Sequence, residues 1–299
     1  MVAYNAPDVK IFSGELNVAD IIVQDLTITG TSNANRSWHL LGNPFSCALT
    51  WDVSTDWSFT NIAGVAKIWN EALQAYSDLT STPASSIPST NGFMVQVSSG
   101  TGSLTMPATK RDQSAQAFYK NKESLPRILL IAAPLDKTSG QQSTVCFIPE
   151  ATEDFDLMYD GEFLSGYAPK FYSISGDIKL STNTLPSMNG EKVIPFGFFK
   201  NDASDFSLEL SETIEGHTLY LSDLKTNTVH IFNNNPVYLF NSEEGDDSNR
   251  FQLYFGTVNI GEQPDDEIIQ AYLSGGYLYL TIPDGKVVLE VFNILGSMV

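Results

Sequence analysis

The sequence predicts an all-β protein: two tandem antiparallel β-sandwich domains, jelly-roll or Ig-like, followed by a partial C-terminal hairpin region. Three observations carry this. Apolar and polar residues alternate over short segments. Turn residues punctuate those segments at short intervals. The composition suits strands, with 18 Phe and 12 Tyr in 299 residues. That length exceeds what one ordinary core fills, and 42% hydrophobic residues supply material for more than one.

Residues 9–11 and 15–18 read as opening strands, and 21–28 as a longer one, followed by a small-residue loop over 29–37. Residues 93–97 alternate after Asn91-Gly92, and 104–106 form a strand stopped by Pro107. Residues 127–133 are almost wholly apolar, the pattern of a central strand. Further strands are expected at 144–148, 178–180, 206–210, 218–221, 229–232, 237–240 and 251–255, with Asn189-Gly190, Glu215-Gly216 and 233–236 as turns between them. One segment reads two ways. Apolar residues at 65, 68, 69, 72, 73, 76 and 79 have helical spacing, yet a hairpin turning at Asn70, Glu71 and Ala72 fits the same residues.

Polar stretches at 120–124 and 261–267 divide the chain into 1–123, 124–260 and 261–299. After the second, residues 278–282, the turn Pro283-Asp284-Gly285 and residues 287–294 make one hairpin, too little for a domain.

Charge narrows the functional classes. There are 16 Lys+Arg against 35 Asp+Glu, a net charge of −19. Such a surface repels phosphate backbones and anionic lipid, so nucleic-acid partners are not expected. No apolar run approaches the ~18 residues of a membrane span, so no membrane insertion is expected. The first residues show neither the basic nor the apolar region of a signal peptide. Cys47 and Cys146 are the only cysteines, which permits one disulfide or two buried thiols and no CxxC metal site.

No catalytic motif stands out. His39, His217 and His230 are scattered without a ligand spacing, and no nucleophile elbow or phosphate-binding loop occurs. Among enzymes, a glycoside hydrolase with paired acids is the least unlikely, but 35 acids nominate no particular pair. Asp154 and Asp156 fall on one side of an extended chain, and with Asp160 they could hold calcium; the alternative is a loop of hydrogen-bonded acids. The acidic run 243–247 offers a second calcium possibility or a solvated hairpin tip.

All four tryptophans, Trp38, Trp51, Trp57 and Trp69, lie in the first quarter of the chain. Large rings build cores, and on a surface they stack against the CH-rich faces of sugars. Trp38 and Trp51 sit in apolar strand contexts and read as core. Trp57, in a polar setting, with Trp69 and Tyr76, forms the expected glycan platform.

Residues 37–45, ending Gly42-Asn43-Pro44-Phe45, and then Leu49, Thr50, Trp51 and Asp52 resemble the "GW-x-LxGNPYPSAIDW" signature of surface proteins exported by the type IX secretion system of Bacteroidota. Further pieces follow in that family's order: Lys67-Ile68-Trp69-Asn70 through Tyr76, residues 87–95, 104–107 with Lys110-Arg111, residues 151–156 with Tyr159-Asp160, residues 193–198, and Asn249-Arg250-Phe251. Phe45 and Cys47 depart from the usual signature. The tail from 277 to 296 resembles the first half of the family's C-terminal sorting domain. The resemblance selects the hairpin reading for 65–76. It implies the C-terminal portion of a larger product that stops within the sorting domain. It places the protein outside the cell or on the outer-membrane surface, with the secretion machinery as partner. It also implies that Gly42-Asn43-Pro44 shape a bend, Gly and Asn by tolerating positive φ. The expected function is a non-catalytic β-sandwich region serving adhesion, spacing or contact with polysaccharide or host glycan. The alternative is a carbohydrate-binding module of a larger polysaccharide-degrading enzyme.

Overall fold

A computed structural model describes residues 14–30, 37–113, 126–188, 192–257, 270–274 and 277–281. Strands dominate, and the one helical element among the described residues is a single 3₁₀ turn, Ala108–Lys110. The chain divides into a compact unit over residues 1–257 and a second unit over 258–299.

The first unit holds two hydrophobic cores. Around the first, a four-stranded antiparallel sheet runs in the order Trp38–Gly42, Gly92–Gln96, Ala66–Asn70, Ala75–Leu79. Its inner residues Phe93, Val95, Ile68 and Leu79 share a core with Leu49, Trp51, Ile87, Leu104 and Met106 from two three-stranded sheets. The segment with helical spacing is therefore a hairpin, with Ala66–Asn70 paired to Ala75–Leu79. Asn70 makes the turn: its Oδ1 accepts from the amides of Ala72 and Leu73 at 3.1 and 3.3 Å.

Trp51 is fully buried, and its ring lies 4.8 Å from Trp57, 5.4 Å from Phe59 and 5.9 Å from Phe93. The bend at Gly42-Asn43-Pro44 is structural, though by another device than positive φ, which neither Gly42 nor Asn43 adopts. The Asn43 amide donates to the carbonyls of Cys47, Ile87 and Pro88, and its Oδ1 accepts from the Phe45 amide at 3.0 Å. One buried side chain thereby saturates the polar groups of a loop.

The second core is enclosed by an 11-stranded sheet that curls toward a barrel. Its path runs Thr228–Ile231, His217–Asp223, Asn249–Thr257, Val193–Phe199, Lys170–Ser175, Ile178–Leu185, Gln141–Phe147, Arg127–Pro134, Asp205–Glu212, Val237–Asn241, with Gly161–Glu162 on Ile178–Leu185. Gln141–Phe147 and Ile178–Leu185 pair in parallel. Alternate residues face inward: Ile128/Leu130/Ala132, Ile194/Phe196/Phe198, Leu219/Leu221 and Phe251/Leu253/Phe255. The two terminal strands approach each other, since His230 and Tyr238 stand ring to ring at 5.2 Å and Thr228 Oγ1 lies 3.3 Å from Tyr238 Oη.

Every strand expected within the described residues is present except 15–18, which is exposed and irregular. The expectation at 9–11 and the boundaries at 120–124 and 261–267 lie outside the described residues. Cys47 and Cys146 are free thiols. Burial pushes the Cys146 thiol up to about 12, making it inert. In the second unit, Gln270–Ser274 pairs with Tyr277–Thr281, a hairpin one strand earlier than expected; residues 287–294 are outside the described residues.

Candidate functional site

The outer face of the four-stranded sheet carries the chemistry. Residues that alternate with the core positions point outward, so Leu40, Met94, Lys67, Asp78, Trp69 and Tyr76 share that face through the pairs Leu40↔Met94, Lys67↔Met94, Lys67↔Asp78 and Trp69↔Tyr76. The second half of the same unit covers part of it. Fully buried Lys67 donates to Asp78 Oδ1 at 2.6 Å and to Ser181 Oγ at 2.7 Å. Asp78 Oδ2 accepts from the Ser181 and Thr182 hydroxyls at 2.8 and 2.6 Å.

Close backbone approach completes this junction. A Cβ on Gly64 would lie 2.2 Å from the Met158 carbonyl oxygen, and one on Gly166 would lie 2.6 Å from that of Gln74. The Gln74 carbonyl also accepts from the Tyr167 and Ala168 amides at 2.9 and 3.2 Å. These bonds set Tyr167 beside the hairpin, its ring 5.8 Å from Trp69 at 85°.

The uncovered part of the face is a groove of about 1030 Å³. Leu40 and Met94 contribute to its floor, and Trp69, Tyr76 and Tyr167 form an aromatic wall. Trp69 and Tyr76 lie 5.2 Å apart at 75°. Tyr167 is 78% exposed and stands at the rim of this wall. Trp69 Nε1 donates to the exposed Glu71 carboxylate at 2.7 Å, which fixes the indole's orientation. The groove is of the size that small-molecule and oligomer ligands occupy, and it combines apolar rings with polar edges.

Of the three aromatic residues expected to form a platform, Trp69 and Tyr76 come together here and Trp57 does not. Trp57 is buried in the first core at 8% exposure, and its Nε1 donates to the Thr50 carbonyl at 3.0 Å. Its polar neighbours Ser54 and Thr55 are tied to Asp52, so the loop is polar while the ring beneath it is core. Tyr167 was missed because its partners lie about 90 positions away. The only local signal is an aromatic beside Gly166 in a short loop.

The carboxylates of Asp154, Asp156 and Asp160 do not form a cluster able to hold a metal ion. Asp160 Oδ1 accepts from the Thr184 amide at 2.6 Å, and its Oδ2 accepts from the Asp156 amide at 2.8 Å. Asp156 Oδ2 accepts from the Thr152 amide, and Asp154 engages Thr152 through its backbone carbonyl. The acids brace a loop whose polar groups would otherwise be orphaned. Among the described residues, no group of three or more His, Cys, Asp or Glu is arranged to hold a metal. Burial raises Asp160 to about 6 against the pull of its two amides. Asp160→Asn will set an amide NH₂ against a backbone N–H and cost about 1–3 kcal/mol, read from urea denaturation, while EDTA will leave the wild-type melting temperature unchanged.

A family model described as "Domain of unknown function (DUF8693)" matches residues 74–255. No curated protein and no solved structure matches the chain. The matched span begins at the hairpin tip and contains Tyr76 and Tyr167, the two sides of the aromatic wall that come from different halves of the unit.

Proposed function

We propose that the chain, which belongs to the DUF8693 family of domains of unknown function, is a non-catalytic region of a cell-surface or secreted protein that contacts glycans through the Trp69–Tyr76–Tyr167 groove. The observation that carries this is the aromatic wall itself. Three large rings border an open groove in a tilted, braced arrangement, and a water-exposed Tyr167 is held there by hydrogen bonds from its own amide and that of Ala168 to the Gln74 carbonyl at the hairpin tip. Rings offered in this way suit the CH faces of pyranose units.

Several carboxylates that a hydrolase would recruit are otherwise engaged. Asp78 is held by Lys67, Asp223 by Arg250, Asp52 by Lys110 and Asp160 by two amides. The location outside the cell, with a tail read by the type IX secretion machinery, rests on the sequence resemblance, and labelling of intact cells with an antibody to residues 1–257 tests it. Adhesion and spacing are the roles of the free-standing form. Attachment to a polysaccharide-degrading enzyme would make the same groove a carbohydrate-binding module, and a catalytic domain encoded upstream in the same reading frame would favour that.

The binding test is retardation in native gels containing neutral polysaccharides such as β-glucans, mannans and xylans. At least one polymer will retard the wild-type protein, and Trp69→Ala or Tyr167→Ala will lower its affinity about tenfold or more, equivalent to ~1.4 kcal/mol. Far-UV circular dichroism and melting temperature will show Tyr167→Ala to be folded, because that ring is largely outside the core. Retardation by no polymer, or full retention in both variants, would remove the groove from consideration.

A further inference from the structure

We infer that the groove discriminates by charge: it takes uncharged glycan chains and rejects those bearing carboxylates or sulfates, with Glu71 as the discriminating residue. This rests on the glycan reading above and names the ligand class within it.

Among the described residues, Lys67 and Glu71 are the only ionisable ones of Asp, Glu, Lys, Arg or His type lining the groove. Lys67 is unavailable to a ligand, being fully buried with its ammonium given to Asp78 and Ser181. Glu71 is exposed, and the indole N–H of Trp69 lies 2.7 Å from its Oε2. A sugar stacked on Trp69 therefore sits beside a carboxylate with no accessible cation among the described lining residues to offset it. The ring faces act in the same direction, since the negative quadrupole of Trp and Tyr repels anions placed over it. The chain's net charge of −19 adds a long-range field of the same sign, but salt screens that field at distances beyond ~10 Å while Glu71 acts at contact range. Glycan selection by a basic cleft is thus replaced here by exclusion, a repulsive element that sets specificity without adding affinity.

The experiment uses hydroxyethyl and carboxymethyl derivatives of the same polymer backbones, so that bulk is matched and charge is not. Gels are run at ~0.15 M ionic strength, where surface fields are screened. The wild type will be retarded by the hydroxyethyl form of at least one backbone and roughly fivefold less by its carboxymethyl form. Glu71→Gln retains an acceptor for Trp69 and will narrow the ratio; Glu71→Lys will bring it to one or invert it. Glu244→Lys makes the same change in net charge at an exposed position outside the groove and will leave the ratio as in the wild type. Equal or stronger retardation by the carboxymethyl form in the wild type overturns the inference while leaving glycan binding in place. An equal response to Glu244→Lys and Glu71→Lys also overturns it, by assigning the effect to net charge. Retardation by none of the polymers removes the glycan reading and this inference together.

Discussion

Arg250→Met will destabilise the protein by about 3–5 kcal/mol, the usual consequence of removing one partner of a buried ion pair. In a unit of this size that lowers the melting temperature on the order of 10 °C. Arg250 and Asp223 have side chains only 2% and 1% exposed. The guanidinium donates to both Asp223 oxygens, at 2.9 and 2.7 Å, and to the Asn241 carbonyl at 2.6 Å. Its Cζ lies 4.8 Å from the centroid of the Phe240 ring and 5.1 Å from that of Phe251. Tyr238 Oη donates to the same carboxylate at 2.9 Å. The contacts therefore tie His217–Asp223 and Asn249–Thr257 to Val237–Asn241, the strand at the far end of the sheet's path. Arg250 closes the curl. Lysine will restore little, because a single ammonium cannot reproduce the two-pronged bond to Asp223 together with the bond to Asn241.

The pH dependence has a definite sign. Burial by itself would raise Asp223, and the Arg250 hydrogen bonds and charge overcome that and hold it below its ordinary 3.8. A carboxyl depressed in the folded state contributes stability that is fully present above 3.8 and is lost as pH falls through the lower folded value. Without Arg250, burial is left to hold Asp223 above 3.8, so the difference in stability between wild type and Arg250→Met will begin to shrink above pH 4 and go on shrinking as pH falls through the lowered wild-type value. Urea denaturation of both proteins at pH 7, 5 and 3 measures it. A gap that does not narrow under acid would mean that the loss comes from packing against Phe240 and Phe251 instead of from charge.

The strands of the second core were legible because its physics is simple: one inward face of Phe, Leu and Ile at every second position. Legibility failed where polar residues were buried. Ile178–Leu185 reads as only three residues of strand because Ser181, Thr182, Asn183 and Thr184 look like a loop. All four are buried, and the Ser181, Thr182 and Thr184 hydroxyls with the Thr184 amide hold Asp78, Asp160 and the Tyr159 carbonyl. Val193–Phe199 is interrupted by Pro195, which argues against an interior strand. Pro195 stands opposite Gln252 of Asn249–Thr257, while on the other side pairing with Lys170–Ser175 runs only from Phe196 to Phe199, so the proline sits where the strand is paired on one side alone.

The site was half visible. Trp69 and Tyr76 are a cross-strand pair within one hairpin, and once the hairpin is recognised their proximity follows from register. Tyr167 depends on a contact between the two halves that no local pattern encodes. The residues most recognisable in the sequence proved to be joinery. Asn43 staples a loop, Asp52 takes Lys110, Arg111 lies 5.6 Å from the Phe45 ring, and Arg250 clips the second sheet. Trp69 and Tyr76 also belong to the recognisable pieces and line the groove, whereas Tyr167 lies outside them.

Lys67 shows how the framework and the groove are coupled, and it carries the second large prediction. It lies in the strand Ala66–Asn70, and its ammonium is buried 5.5 Å from the Trp38 ring and bonded to Asp78 and Ser181. Lys67→Met keeps the aliphatic stem and removes the charge. Asp78, only 10% exposed, is then left with two hydroxyl donors and no cation. The expected cost is about 3–5 kcal/mol, for the reason given for Arg250. Adding Asp78→Ser removes the stranded charge and keeps a hydroxyl for Ser181 and Thr182, so the double variant will recover half or more of the loss. That recovery is the signature of an uncompensated charge, as distinct from a cavity, which the second substitution would only enlarge. Because this junction seats the loop bearing Tyr167 against the hairpin, Lys67→Met will also weaken glycan retardation more than its surviving Trp69 and Tyr76 would suggest. A single variant within 1 kcal/mol of wild type would show that the two halves are held by the glycine contacts at Gly64 and Gly166 without help from the ion pair.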